Sequence, residues 1–153
     1  MSFSIDLEVA DPRWRKVRGL VARLREAADL ALKRGGAPRG AALTILLTGD
    51  AQLRSLNHDF RGRNKPTNVL SFPAPKNAGR YLGDVALAYG VAEKEARAAA
   101  RPFAHHATHL VVHGVLHLLG FDHVTPGKAR EMEPLETRIL ARLGIADPYE
   151  EAA

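Results

Sequence analysis

Residues 113–123 read HGVLHLLGFDH, and their spacing decides how this part of the chain folds. Two histidines four residues apart, set among Val115, Leu116, Leu118 and Leu119, predict a helix with an apolar side and with His113 stacked above His117 on one face. Stacked in this way, two imidazoles can present nitrogens to a single point. Gly120 predicts the helix end, because glycine accepts the left-handed backbone that closes a helix, and the reversal lets His123 return as a third donor. Three neutral imidazoles converging on one point suit a divalent cation with an open fourth position, the arrangement of catalytic rather than closed structural zinc. A lone histidine on such a helix reads as a packed core residue; His113, His117 and His123 need a shared explanation.

The pattern H-x-x-x-H-x-x-G-x-x-H matches that of metzincin proteases in its histidines and glycine. It departs from them at Gly114, where zinc proteases carry the glutamate that acts as general base. Glycine has no side chain to remove a proton, so peptide hydrolysis by that route is disfavoured. His109 lies one turn before His113 and suits either a supporting partner of the site or a partly buried structural histidine. His105, His106 and His58 fall near expected helix ends, where solvent exposure is the simplest expectation. Asp122 is placed either to orient an imidazole or to cap the turn.

Outward from this helix, residues 3–9 (FSIDLEV) alternate apolar and polar side chains as a half-buried strand does. Apolar residues recur at three and four residue intervals from Trp14 to Arg34, predicting one long amphipathic helix that ends at Gly35-Gly36. Residues 41–48 (AALTILLT) read as a more fully buried strand, and Asp50 is placed to cap a short helix to about Phe60. Strands are expected at 68–72 and 82–88, then helices near 90–101, 103–119 and 127–143. Strands first and helices later imply an α+β fold: a single domain over residues 1–153, a four-stranded mixed sheet packed with five or six helices, and a zincin-like histidine site at a helix C-terminus.

Composition narrows the function. The 153 residues contain no Cys, which excludes disulfides, thiolate zinc sites and cysteine nucleophiles, so any metal must be held by His, Asp or Glu. Residues 1–80 carry 15 basic and 7 acidic side chains, a basic half that can attract a polyanion such as RNA or simply form a solvated surface. No apolar run suits a membrane span and the N-terminus lacks signal-peptide order, so a cytoplasmic protein is expected.

Several further motifs accompany the histidine segment: Leu56-Asn57, Phe60-Arg61-Gly62, Lys65-Pro66-Thr67-Asn68-Val69-Leu70-Ser71-Phe72-Pro73, Leu82-Gly83-Asp84, Glu131-Met132-Glu133 and Leu135-Glu136. With HGVLHLLGFDH they resemble the YbeY family of bacterial metal-dependent endoribonucleases, also described as rRNA maturation factors. The first 40 residues carry little that is diagnostic, and Asn68 stands where Asp is common in the family, a swap that touches no proposed ligand. The resemblance implies one zinc ion per chain, with other divalent metals left open, on His113, His117 and His123, and cleavage of single-stranded RNA in ribosomal RNA maturation, including the 16S rRNA 3′ end, and in ribosome quality control. The implied partners are an rRNA precursor, the small ribosomal subunit and its assembly factors.

The resemblance also implies a functional role for Arg61, whose guanidinium can grip phosphate oxygens and offset growing negative charge; Arg63 and Lys65 either extend that backbone-binding rim or are simply exposed. Arg61 and His113 are thus the candidate catalytic residues. A divalent metal acidifies water without a side-chain base, so Gly114 does not exclude hydrolysis of a phosphodiester. Two alternatives remain at this point: a metal-dependent amide or ester hydrolase, and a non-enzymatic RNA-binding assembly factor whose metal is structural.

Overall fold

A computed structural model describes residues 2–61, 67–122 and 125–149, Arg61 by its backbone alone. Its order is β1 (Ser4–Val9), α1 (Arg13–Lys16), α2 (Leu20–Arg34), β2 (Ala42–Thr48), α3 (Asp50–Arg61), β3 (Val69–Pro73), β4 (Tyr81–Ala88), α4 (Tyr89–Ala98), α5 (Phe103–Leu118) and α6 (Pro126–Arg142). The strands form one mixed sheet in the order β1-β2-β4-β3, with β1, β2 and β4 parallel and β3 antiparallel to β4. The expected α+β architecture is what the chain adopts, with four strands and six helices among the described residues.

The sheet's two faces are covered unequally. Leu43, Ile45, Leu47, Val85 and Leu87 face the main core, which α2, α5 and α6 complete with Leu24, Ala28, Val111, Val115, Leu116 and Ile139. The other face is covered by α3, through Leu53 against Leu70, Ala86 and Ala88. β2 is central and reads as a nearly continuous apolar run, whereas β1 at the edge alternates buried and exposed positions. The sequence patterns of the two strands thus reflect their places in the sheet.

The expected helix from Trp14 to Arg34 is two helices. Val17 takes an extended backbone (ψ 108°) and Gly19 a left-handed one (φ 75°), so the chain turns before α2 begins. The break seats Trp14 fully buried, with its indole N–H donating to the Thr48 carbonyl at 2.9 Å and its ring against Tyr89 and Phe103. Asp50 does start α3, but its carboxylate accepts from the backbone N–H of Val91 (3.0 Å), near the start of α4. It therefore caps a different helix, and Gly90 leaves room for it.

α5 lies against β3 and β4 through Gly114. A Cβ there would stand 2.6 Å from a Val85 methyl and 3.3 Å from Ser71 Oγ, and that hydroxyl donates to the Gly114 carbonyl at 3.0 Å. Gly114 is thus a close-packing residue, and its side of the helix faces the sheet. Gly120 ends the helix as expected, at φ 99°, with the N–H of Phe121 reaching back to the Leu116 carbonyl (3.1 Å) and that of Gly120 to His117 (3.0 Å).

Candidate metal centre

The site is built on one stripe of α5. His106, His109, His113 and His117 are separated by three, four and four residues, which keeps them on one side of a 3.6-residue helix. Their rings form a row with centroid separations of 6.4, 6.2 and 4.4 Å. The helix's other side, with Val111, Val115 and Leu118, is packed into the core and fixes the direction in which the row points.

His113 and His117 converge as their spacing predicts, with Nε2 atoms 2.9 Å apart. Two imidazole nitrogens on one tetrahedral zinc, each bound at roughly 2.0–2.1 Å, lie about 3.3 Å from one another. The observed pair is within a few tenths of an ångström of that separation, so the two residues fit a shared cation. His123, Arg63 and Lys65 lie outside the described residues, as does the side chain of Arg61.

On its other edge His113 meets a carboxylate from α6. Glu136 has no solvent exposure, and its oxygens lie 3.3 Å from His113 Nδ1, 2.7 Å from His109 Nε2 and 3.0 Å from the Tyr149 hydroxyl. Burial pushes such a carboxyl up, yet hydrogen bonds from His109 and His113 more than offset this and hold it down at about 2. Glu136 is therefore a buried carboxylate. Burial and that same carboxylate push the Tyr149 phenol upward, leaving it a neutral donor. Among the described residues, His109, His113 and Glu136 are a group able to hold a metal ion, with donor atoms all within 4.8 Å of one another.

Sequence reasoning did not single out Glu136 as part of the site. The signal was present: Met132, Leu135, Ile139 and Leu140 form the buried stripe of α6, and Glu136 falls within it. A carboxylate on an apolar stripe needs partners, since an unpaired buried charge is strongly disfavoured. His106 was expected in solvent, but its side chain is 17% exposed and its Nε2 lies 2.9 Å from a Glu95 oxygen. His105 is likewise half-buried, whereas His58 is exposed as expected. Asp122 accepts from Lys128 Nζ at 3.2 Å, a contact across the turn that follows the histidine helix.

The packing at Gly114 also bears on the protease comparison. A glutamate there would be directed at Val85 and Ser71, so the position has no room for a general base.

Sheet, helix and donor cluster together define a single-domain α+β protein with a metal-capable histidine and carboxylate site. A family model described as Endoribonuclease YbeY matches residues 10–144. A protein of Chelativorans sp. (strain BNC1) with that name is 49% identical over 156 residues, covering 97% of this chain and 94% of its own. A protein of Rhodopseudomonas palustris with that name is 55% identical over 116 residues, covering 72% of this chain and 61% of its own. The solution structure of TM1509 from Thermotoga maritima has the same fold, with a TM-score of 0.61 at 22% identity over 96% of this chain and 99% of that one. The chain belongs to the YbeY family of endoribonucleases.

Proposed function

We propose that residues 1–153 form a metal-dependent endoribonuclease that cuts single-stranded RNA in ribosomal RNA maturation, with one zinc ion held by His113, His117 and His123. The observation that carries this reading is the 2.9 Å approach of the His113 and His117 Nε2 atoms at the end of α5, in a chain of this family. An all-nitrogen donor set suits zinc, and the chain has no cysteine to compete for it.

When bound, the divalent ion supplies Lewis-acid polarisation and acidification of water, which side chains alone supply poorly at neutral pH. The remaining tasks fall to the chain itself. The packed α5 holds two imidazoles in register, and Gly120 ends that helix in a left-handed turn. Arg61 binds phosphate oxygens through its guanidinium and neutralises charge that grows as the phosphodiester is attacked. The basic half of the sequence favours a polyanion over a neutral peptide. The place of work that the family suggests is the cytoplasm, on the small ribosomal subunit and with its assembly factors; no helix among the described residues is long and apolar enough to cross a membrane.

The test is an assay of purified protein on labelled single-stranded RNA, matched DNA and peptide, with and without chelator. RNA alone should be cut, chelator should stop the reaction and zinc should restore it. Peptide cleavage would instead favour an amide hydrolase, and RNA binding without cutting by the zinc-loaded protein would favour an assembly factor. Arg61→Ala should lower cleavage while zinc content stays native.

A further inference from the structure

Glu136 joins three parts of the chain: α5 through His109 and His113, α6 on which it sits, and the segment after α6 through Tyr149. The two carboxyl oxygens of a glutamate can accept several hydrogen bonds at once, and three donor-capable side chains surround those of Glu136. A His113 proton on Nδ1 would point at the Glu136 oxygens 3.3 Å away and leave the lone pair on Nε2, the nitrogen that faces His117 at 2.9 Å. His109 spends its Nε2–H on the same carboxylate at 2.7 Å, and the Tyr149 hydroxyl approaches both oxygens at 3.0 Å.

From this geometry we infer that Glu136 is a positioning residue: it selects the tautomer and ring orientation that make His113 a metal ligand, and His109 and Tyr149 hold the carboxylate in place. The inference rests on the reading of His113 and His117 as ligands and assigns the buried group behind them. It also separates two uses of the cluster around Glu136. If the carboxylate supports the site, the cation lies on the His117 side of the His113 ring. If His109, His113 and Glu136 were themselves the ligands, it would lie on the Nδ1 side.

The two cases differ in which ring nitrogen touches the ion. In the zinc-loaded native protein, nitrogen NMR of the histidine rings should show His113 protonated at Nδ1 and metal-bound at Nε2; zinc on Nδ1 would overturn the assignment. Zinc affinity, measured by competition with a chromophoric chelator, gives the second readout. Glu136→Gln should lower it about 10–100-fold, as loss of a supporting carboxylate does. Tyr149→Phe, at the partly exposed end of the cluster, should lower it about two- to fivefold with the fold intact. Native affinity in a folded Glu136→Gln protein would refute the positioning role while leaving the ligand assignment standing. Native affinity in His117→Ala would instead refute the ligand assignment. If Glu136→Gln does not fold, the ring-nitrogen assignment in the native protein decides alone.

Discussion

The two sides of α5 are made of different material and have different surroundings. One side carries Val111, Gly114, Val115 and Leu118 and is buried against the sheet and neighbouring helices. The other carries His106, His109, His113 and His117, of which His106, His109 and His113 keep between 16% and 18% of their side-chain surface exposed. A site with donors placed to a few tenths of an ångström needs a rigid support, and a tightly packed helix provides one. The apolar side sets where the polar side points. Damage to one should therefore appear as lost stability, and damage to the other as lost metal and lost chemistry.

The strongest way to break this division is His117→Ala. It should remove measurable zinc and reduce RNA cleavage by about three orders of magnitude or more, while circular dichroism shows a native fold. Loss of the fold along with the zinc would mean that the polar side is structural as well. Gly114→Val attacks the other side. Its branched side chain meets Val85 and Ser71, and urea unfolding should show a loss of about 1–3 kcal/mol or more. Zinc affinity of the molecules that remain folded should stay within a few-fold of native.

Smaller changes sharpen the boundary. Ser71→Ala removes the hydrogen bond to the Gly114 carbonyl and should cost about 0.5–1.5 kcal/mol in the same unfolding experiment, with zinc content unchanged. His106→Ala lies at the far end of the histidine row and touches Glu95 rather than Glu136. It should change stability by less than about 1 kcal/mol and leave zinc affinity as it is. A marked fall in zinc affinity there would extend the site along the whole row.

What the sequence revealed follows from the range of the interactions involved. The convergence of His113 and His117 depends on one helical turn, and the Gly120 turn depends on a single residue's backbone, so both could be read from an eleven-residue stretch. The alternating pattern of β1 and the apolar run of β2 likewise expressed their own surroundings. Glu136 escaped because its partners His109, His113 and Tyr149 lie 27, 23 and 13 residues away and meet it only when α5 and the segment after α6 pack around it. Asp50 deceived for the same reason: its carboxylate reaches Val91, 41 residues on, rather than the helix it begins. The Gly19 break was local, but the apolar periodicity on either side of it continued without a gap and concealed it.

The most direct test of the account is a zinc titration of chelator-stripped protein in which bound zinc and the cleavage rate of a labelled single-stranded RNA are followed together. Cleavage should rise in proportion to bound zinc and saturate at one ion per chain, with neither signal in His113→Ala. Undiminished cleavage by the stripped protein, or full zinc occupancy without cleavage, would contradict it.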